Sequence, residues 1–141
     1  MRRGITLIEL LLVLSVTGLL FGIVLPRFAT VADGLAVEQA AQHLVGAQRR
    51  ARMTAILESR QAVLTIAPES LVIRLGSGGP VSWRASGPVS EGVALAGGAT
   101  QIVFSPVGIT TGLSNASFQL TRGNAHRTVV VSRLGRARIL P

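Results

Sequence analysis

Few side chains in this sequence could do chemistry, and their spacing excludes most of it. Cysteine is absent, which removes thiolate catalysis and thiolate-bound metal. All fourteen basic residues are arginine, so Schiff-base and Ser–Lys mechanisms have no lysine to run on. His43 and His126 have neither a second histidine nor a carboxylate at metal-ligand spacing. Asp33 is the single aspartate, and no two acids lie close enough in sequence to suggest a general acid/base pair. The run Gly76-Ser77-Gly78-Gly79 lacks the lysine and the strand–loop–helix setting of a phosphate loop and reads as a linker. No catalytic residue, metal site or cofactor is expected.

Two features remain. Glu9 is the one charged residue in an apolar run from Ile5 to Leu25. A carboxylate inside such a span costs about 2.5–3.5 kcal/mol on insertion scales, so it marks a functional site. At the other end of the chain, Arg136-Ala137-Arg138-Ile139 alternates strictly. On a strand, Ala137 and Ile139 face inward while Arg136 and Arg138 share the outer face, about 6.6 Å apart. That spacing suits successive phosphates of a nucleic acid, with Arg133 on the preceding strand and Arg122 or Arg127 across a hairpin as extensions. The competing reading is a solvated edge whose charges discourage aggregation.

The elements that must carry these residues follow from hydrophobic periodicity. Ile5 to Leu25 is long enough, at about 1.5 Å per residue, to cross a hydrocarbon core of roughly 30 Å. Arg2 and Arg3 before it and the single Arg27 after it favour a cytoplasmic N-terminus. Pro26 should kink or break a continuing helix, and Asp33-Gly34 is a second weak point. Helical spacing then resumes: Val37, Ala40, Ala41, Leu44, Ala47, Ala51 and Ala55 form one stripe. Because the stripe is alanine-rich, the helix should lie close to whatever it packs on.

After Arg60 the pattern alternates. Gln61–Ile66 and Leu71–Leu75 form a hairpin; Val81–Arg84, Val93–Leu95 and Ile102–Phe104 are short strands. Ser117–Arg122 and Arg127–Arg133 flank a turn at Gly123-Asn124, and Arg136–Leu140 is the last strand. Trp83, Phe104 and Phe118 fall in core-facing positions. The fold class is α+β: a long N-terminal helix whose amphipathic half covers an antiparallel sheet. Mean hydropathy is +0.53, much of it before Pro26, and net charge is +8. That surplus fits either a solvated surface or an anionic partner.

The start of the chain carries a resemblance. A basic leader, Met1-Arg2-Arg3-Gly4, followed by Ile5-Thr6-Leu7-Ile8-Glu9-Leu10, resembles the class III signal of type IV pilins and type II secretion pseudopilins. The resemblance implies cleavage between Gly4 and Ile5, N-methylation of Ile5 by the prepilin peptidase, and pairing of Glu9 with the N-terminal amine of a neighbouring subunit. Phe104-x-Pro106-x-Gly108, Gly112, Val129-Val130-Val131-Ser132 and Gly135-Arg136-Ala137-Arg138 are similar to the GspH/FimT-type branch of that family. It implies a type IV pilin-like fold with a leader at 1–4, a transmembrane helix at 5–26, its amphipathic continuation at 27–59 and a periplasmic β domain at 60–141.

The expected role is structural: a minor pseudopilin anchored in the bacterial inner membrane, joining other pseudopilins in the short filament of a type II secretion system. The alternative is a minor type IV pilin serving pilus assembly or DNA uptake, with Arg136, Arg138 and Arg133 touching DNA. A third reading, a secreted enzyme behind a signal peptide cut near Thr30-Val31-Ala32, is opposed by Glu9 inside the apolar run and by its length.

Overall fold

A computed structural model describes residues 6–98, 100–112 and 115–141. Gly4 and Ile5, on which the cleavage and methylation expectations fall, lie outside the described residues. The chain divides into two units, one ending at Ala32 and one spanning Asp33–Pro141.

Helix α1 covers Leu7–Leu57. Thr6 opens it: its hydroxyl accepts the Glu9 backbone N–H at 3.3 Å, the bond of an N-cap. Ser15 and Thr17 donate back to the carbonyls of Leu11 and Val13, at 2.9 and 2.7 Å, which hides both hydroxyls from an apolar surrounding. Neither position 26 nor Gly34 ends the helix. A proline removes one N–H and crowds one carbonyl, which a long helix tolerates without terminating. The end comes at Ser59, in the left-handed region at φ 48°. Arg60 N–H bonds to Ala55 O and Ser59 N–H to Ile56 O, a Schellman-type stop.

The second unit holds two antiparallel sheets where a single sheet is expected from sequence. Strands β1 (Ala62–Ile66), β2 (Ser70–Leu75), β3 (Val81–Ser86), β5 (Gln101–Phe104) and β6 (Thr110–Thr111) form a five-stranded sheet in the order β3-β2-β1-β5-β6. Strands β4 (Ala94–Ala96), β7 (Ala116–Arg122), β8 (Ala125–Val131) and β9 (Ala137–Leu140) form a four-stranded sheet in the order β4-β7-β8-β9. The split follows from the glycine- and alanine-rich stretch after β3. It cannot pair as a long strand, so a 3-10 turn at Pro88–Glu91 carries the chain to β4 beside β7. Both expected hairpins form, β1 with β2 and β7 with β8. The Gly76–Gly79 run is the tight turn between β2 and β3 rather than a linker, held by Arg74 donating to Gly79 O at 3.2 Å.

All seven residues of the α1 stripe, from Val37 to Ala55, are buried. They pack with Leu64, Ile73, Phe104, Phe118, Leu120 and Val129 of the two sheets. Alanine at five of those seven helical positions lets backbone approach backbone. On β7, Ala116, Phe118 and Leu120 are buried while Ser117, Gln119 and Thr121 are exposed, the alternation of a sheet covered on one face. Trp83 is the exception among the expected core aromatics. It is half-buried at the rim, with the Arg50 guanidinium 5.2 Å above its ring.

Candidate functional site

In the first unit the candidate site is a surface. Every side chain from Thr6 to Val24 is exposed, with Leu7 at 78%. Nothing within the unit buries this apolar helix, although covering each Leu, Ile or Val would contribute about 1.5–3 kcal/mol. The segment is long and apolar enough to cross a membrane. Glu9 lies in the first turn, also exposed. Its carboxylate sits at the positive end of the helix dipole.

In the second unit two arginines are answered by acids. Arg122 Nε pairs with Asp33 at 2.9 Å, and Arg127 Nε with Glu38 at 3.1 Å. Both bonds tie the β7–β8 hairpin to the start of the unit's helix. Gln42 donates to the other Glu38 oxygen at 3.0 Å. That bond first, and Arg127 second, hold the Glu38 carboxyl below the usual carboxylate value. Arg122 and Arg127 therefore do not extend a basic patch from β9, as expected from sequence; their charges are spent on acids far away along the chain. His43, without a carboxylate near it in sequence, meets Glu91 at 2.7 Å through the same kind of long-range contact.

Four other arginines have no acid partner among the described residues. Arg136 and Arg138 are exposed and Ala137 and Ile139 pack on the core, as strand alternation requires. With Arg49 and Arg52 of α1 they border one cleft of about 550 Å³, whose apolar surface comes from Met53, Ile56 and Ala137. Among the described residues no carboxylate lines it. Arg52 Nε is buried with no acceptor among the described residues. Arg133 is not part of this cleft. Strand β8 stops at Val131, and Arg133 lies in the turn that follows, because Ser132 N–H bonds across the turn to Arg136 O at 2.8 Å.

Local backbone fixes the cleft. Gly135 has φ 68°, and a Cβ there would lie 2.6 Å from Gly108 O. Gly108 itself has φ 78° and sits against Ile56 and Arg52. Only glycine fits both demands at this crossing of two turns. Buried Gln48 donates to Gly135 O at 2.8 Å, locking the turn that leads into Arg136. Gln48 is a positioning residue that sequence reading missed. Its signal is a polar residue directly after Ala47 on the apolar stripe.

A sequence model of the family described as Type II transport protein GspH matches residues 40–135. The chain belongs to this family of type II secretion and type IV minor pilin-like subunits. It is 34% identical over 157 aligned residues to the Pilin-like protein PilA1 of Thermus thermophilus, covering 98% of both chains. Two crystal structures of the type IV minor pilin FimU of Pseudomonas aeruginosa share its fold, with TM-scores of 0.62 and 0.64 at 16% identity. They span 74% of this chain and 92% and 88% of FimU. The minor pseudopilin EpsH of the Vibrio cholerae type 2 secretion system aligns with TM-score 0.54 and 15% identity, over 74% of this chain and 95% of EpsH. Members of this pilin-like family are structural subunits rather than enzymes, and they typically assemble with other pilins into filaments. The long apolar helix of this one is compatible with a single-pass inner-membrane anchor.

Proposed function

We propose that this subunit is anchored through residues 5–26, carries residues 27–59 and 60–141 on the periplasmic side, and enters a filament through its apolar helix. The carrying observation is the fully exposed apolar surface from Leu7 to Val24 with Glu9 as its one charge. In this reading, cleavage after Gly4 frees the amine of Ile5, which is then methylated. Glu9 of an incoming subunit pairs with the amine of a subunit already in place. An opposite charge strongly stabilises a carboxylate in an apolar surrounding, so misregistered subunits would leave it uncompensated. Charge sets register; apolar contact between helices supplies cohesion.

Of the two filament systems, we place a minor type IV pilin first. The full-length likeness to a pilin-like protein supports it, because that likeness covers both units. Type II secretion, the first expectation from sequence, is the second reading, supported by the GspH description of the matching family. Nucleic acid at Arg136 and Arg138, which the pilus alternative brings with it, is not part of this proposal. Its binding assay is an arm of the experiment that closes the next subsection.

Mass spectrometry of the mature N-terminus tests the anchored-subunit reading. It predicts N-methylated Ile5 in cells carrying a prepilin peptidase, and only full-length precursor for Gly4→Val, whose branched side chain occupies the position where the peptidase accepts glycine. A mature chain beginning near Asp33 would overturn it in favour of an ordinary signal peptide.

A further inference from the structure

We propose that the arginine cleft seats an acidic, partly apolar segment of a different polypeptide. Four guanidiniums border it, from Arg49 and Arg52 on α1 and from Arg136 and Arg138 at β9, with no carboxylate in its lining. Two arginines elsewhere in the unit, Arg122 and Arg127, are answered by Asp33 and Glu38. What sets the cleft apart is clustering: four arginines border one concavity with no carboxylate in its lining among the described residues. Arg52 adds to it: its Nε is buried with no acceptor among the described residues.

The shape and lining select among anions. Met53 and Ile56 remain 54% and 40% exposed beside the guanidiniums. Carboxylates on a peptide can meet the arginines in forked pairs while neighbouring apolar side chains cover Met53 and Ile56. A DNA backbone brings phosphates but nothing to cover them. Duplexes are also read by protein elements that enter their grooves, the reverse of a concave cleft. A second copy of this chain is a poor occupant. From Asp33 onward the sequence holds eleven arginines against five acidic residues. Asp33, Glu38 and Glu91 are already paired, which leaves Glu58 and Glu69, isolated from each other. Charge complementarity thus points to a heterotypic, acidic partner. The inference holds for either filament system and does not rest on the processing of the N-terminus.

The test uses the full chain in detergent micelles and fluorescence anisotropy, with three labelled probes: a short peptide alternating Glu and Leu, one alternating Glu and Ser, and a short mixed-sequence DNA duplex. The Glu/Leu peptide is expected to bind most tightly. Arg136→Gln with Arg138→Gln should weaken it by about tenfold, the scale of losing two charge-assisted contacts. Met53→Ser should weaken the Glu/Leu peptide while leaving the Glu/Ser peptide unchanged. All three positions are exposed, so the melting temperature should not move. Absent binding of the Glu/Leu peptide, or binding indifferent to the double substitution, overturns the proposal. Tighter binding of the duplex, lost in the double variant, also overturns it and gives these arginines to nucleic acid. None of these outcomes bears on N-methylation of Ile5, so the two failures are distinguishable.

Discussion

From Leu7 to Val24, helix α1 shows leucine, isoleucine and valine on every side, all exposed. From Val37 to Ala55 its apolar residues, Met53 apart, lie on one buried face and are mostly alanine. Large side chains all round suit a helix whose cover is lipid or other helices, met from any direction. Small side chains on one stripe suit a helix pressed onto sheets at short range, where volume is fixed by the facing residues. The difference teaches what each part needs: the second is completed within its own unit, and the first, in the proposed reading, by lipid or other subunits.

Substitutions that exchange the two logics break this contrast most strongly. Ala51→Leu puts a large side chain into a fully buried alanine site and should destabilise the Asp33–Pro141 unit by about 1–3 kcal/mol. For a unit of this size that lowers the melting temperature by about 4 °C or more. Leu14→Ala, in the exposed part, should leave that melting temperature unchanged. Equal effects in calorimetry would mean that the two parts are not packed differently.

A smaller loss is expected at the turn that carries the arginines. Gln48→Leu removes the donor to Gly135 O and leaves a buried carbonyl unsatisfied, at a cost of about 1–3 kcal/mol, partly offset by the apolar replacement. Hydrogen exchange should show faster opening around Ser132–Arg136 while β1 and β2 stay protected. Uniform acceleration across the unit would remove the positioning role of Gln48.

The smallest effect is electrostatic. The Glu38 carboxyl is held below its ordinary value by Gln42 and Arg127. A lowered folded value means that its stabilisation is fully present above the ordinary value of 4.5 and is lost as pH falls through the lower folded value. Glu38→Gln should therefore lower the melting temperature slightly at neutral pH and not at all in strong acid, because the pair is solvent-exposed. A difference that persists unchanged in acid would show that charge is not its source.

Much of this was legible in the sequence because it depended on near neighbours. The stripe from Val37 to Ala55, the hairpin turn at Gly123-Asn124 and the in–out alternation of Arg136 to Ile139 each follow from a local period. What escaped depended on contacts across the fold. Nothing near Arg122 or Arg127 announces that Asp33 and Glu38 neutralise them. Nothing near Arg136 says that Arg49 and Arg52 share its cleft. The two-sheet split escaped for a related reason: Ser86 to Thr100 has weak strand propensity, and its path is set by β7, which comes later in the chain. Phe104-x-Pro106-x-Gly108 and Gly135-Arg136 are visible as motifs, but the reason for their glycines, two turns meeting at left-handed positions, appears only in three dimensions.

The claim that the first part of α1 is completed by other subunits is tested most directly by Glu9→Val. The measurement is the amount of mature subunit recovered in sheared filaments from a strain lacking the native copy, relative to the amount in the membrane. Cleavage and membrane insertion should be preserved, since the substitution removes a charge from the apolar segment. Recovery in filaments should fall to background while the wild-type subunit is found there. Glu9→Val entering filaments at the wild-type level would contradict the pairing role of Glu9 and, with it, the electrostatic register of assembly.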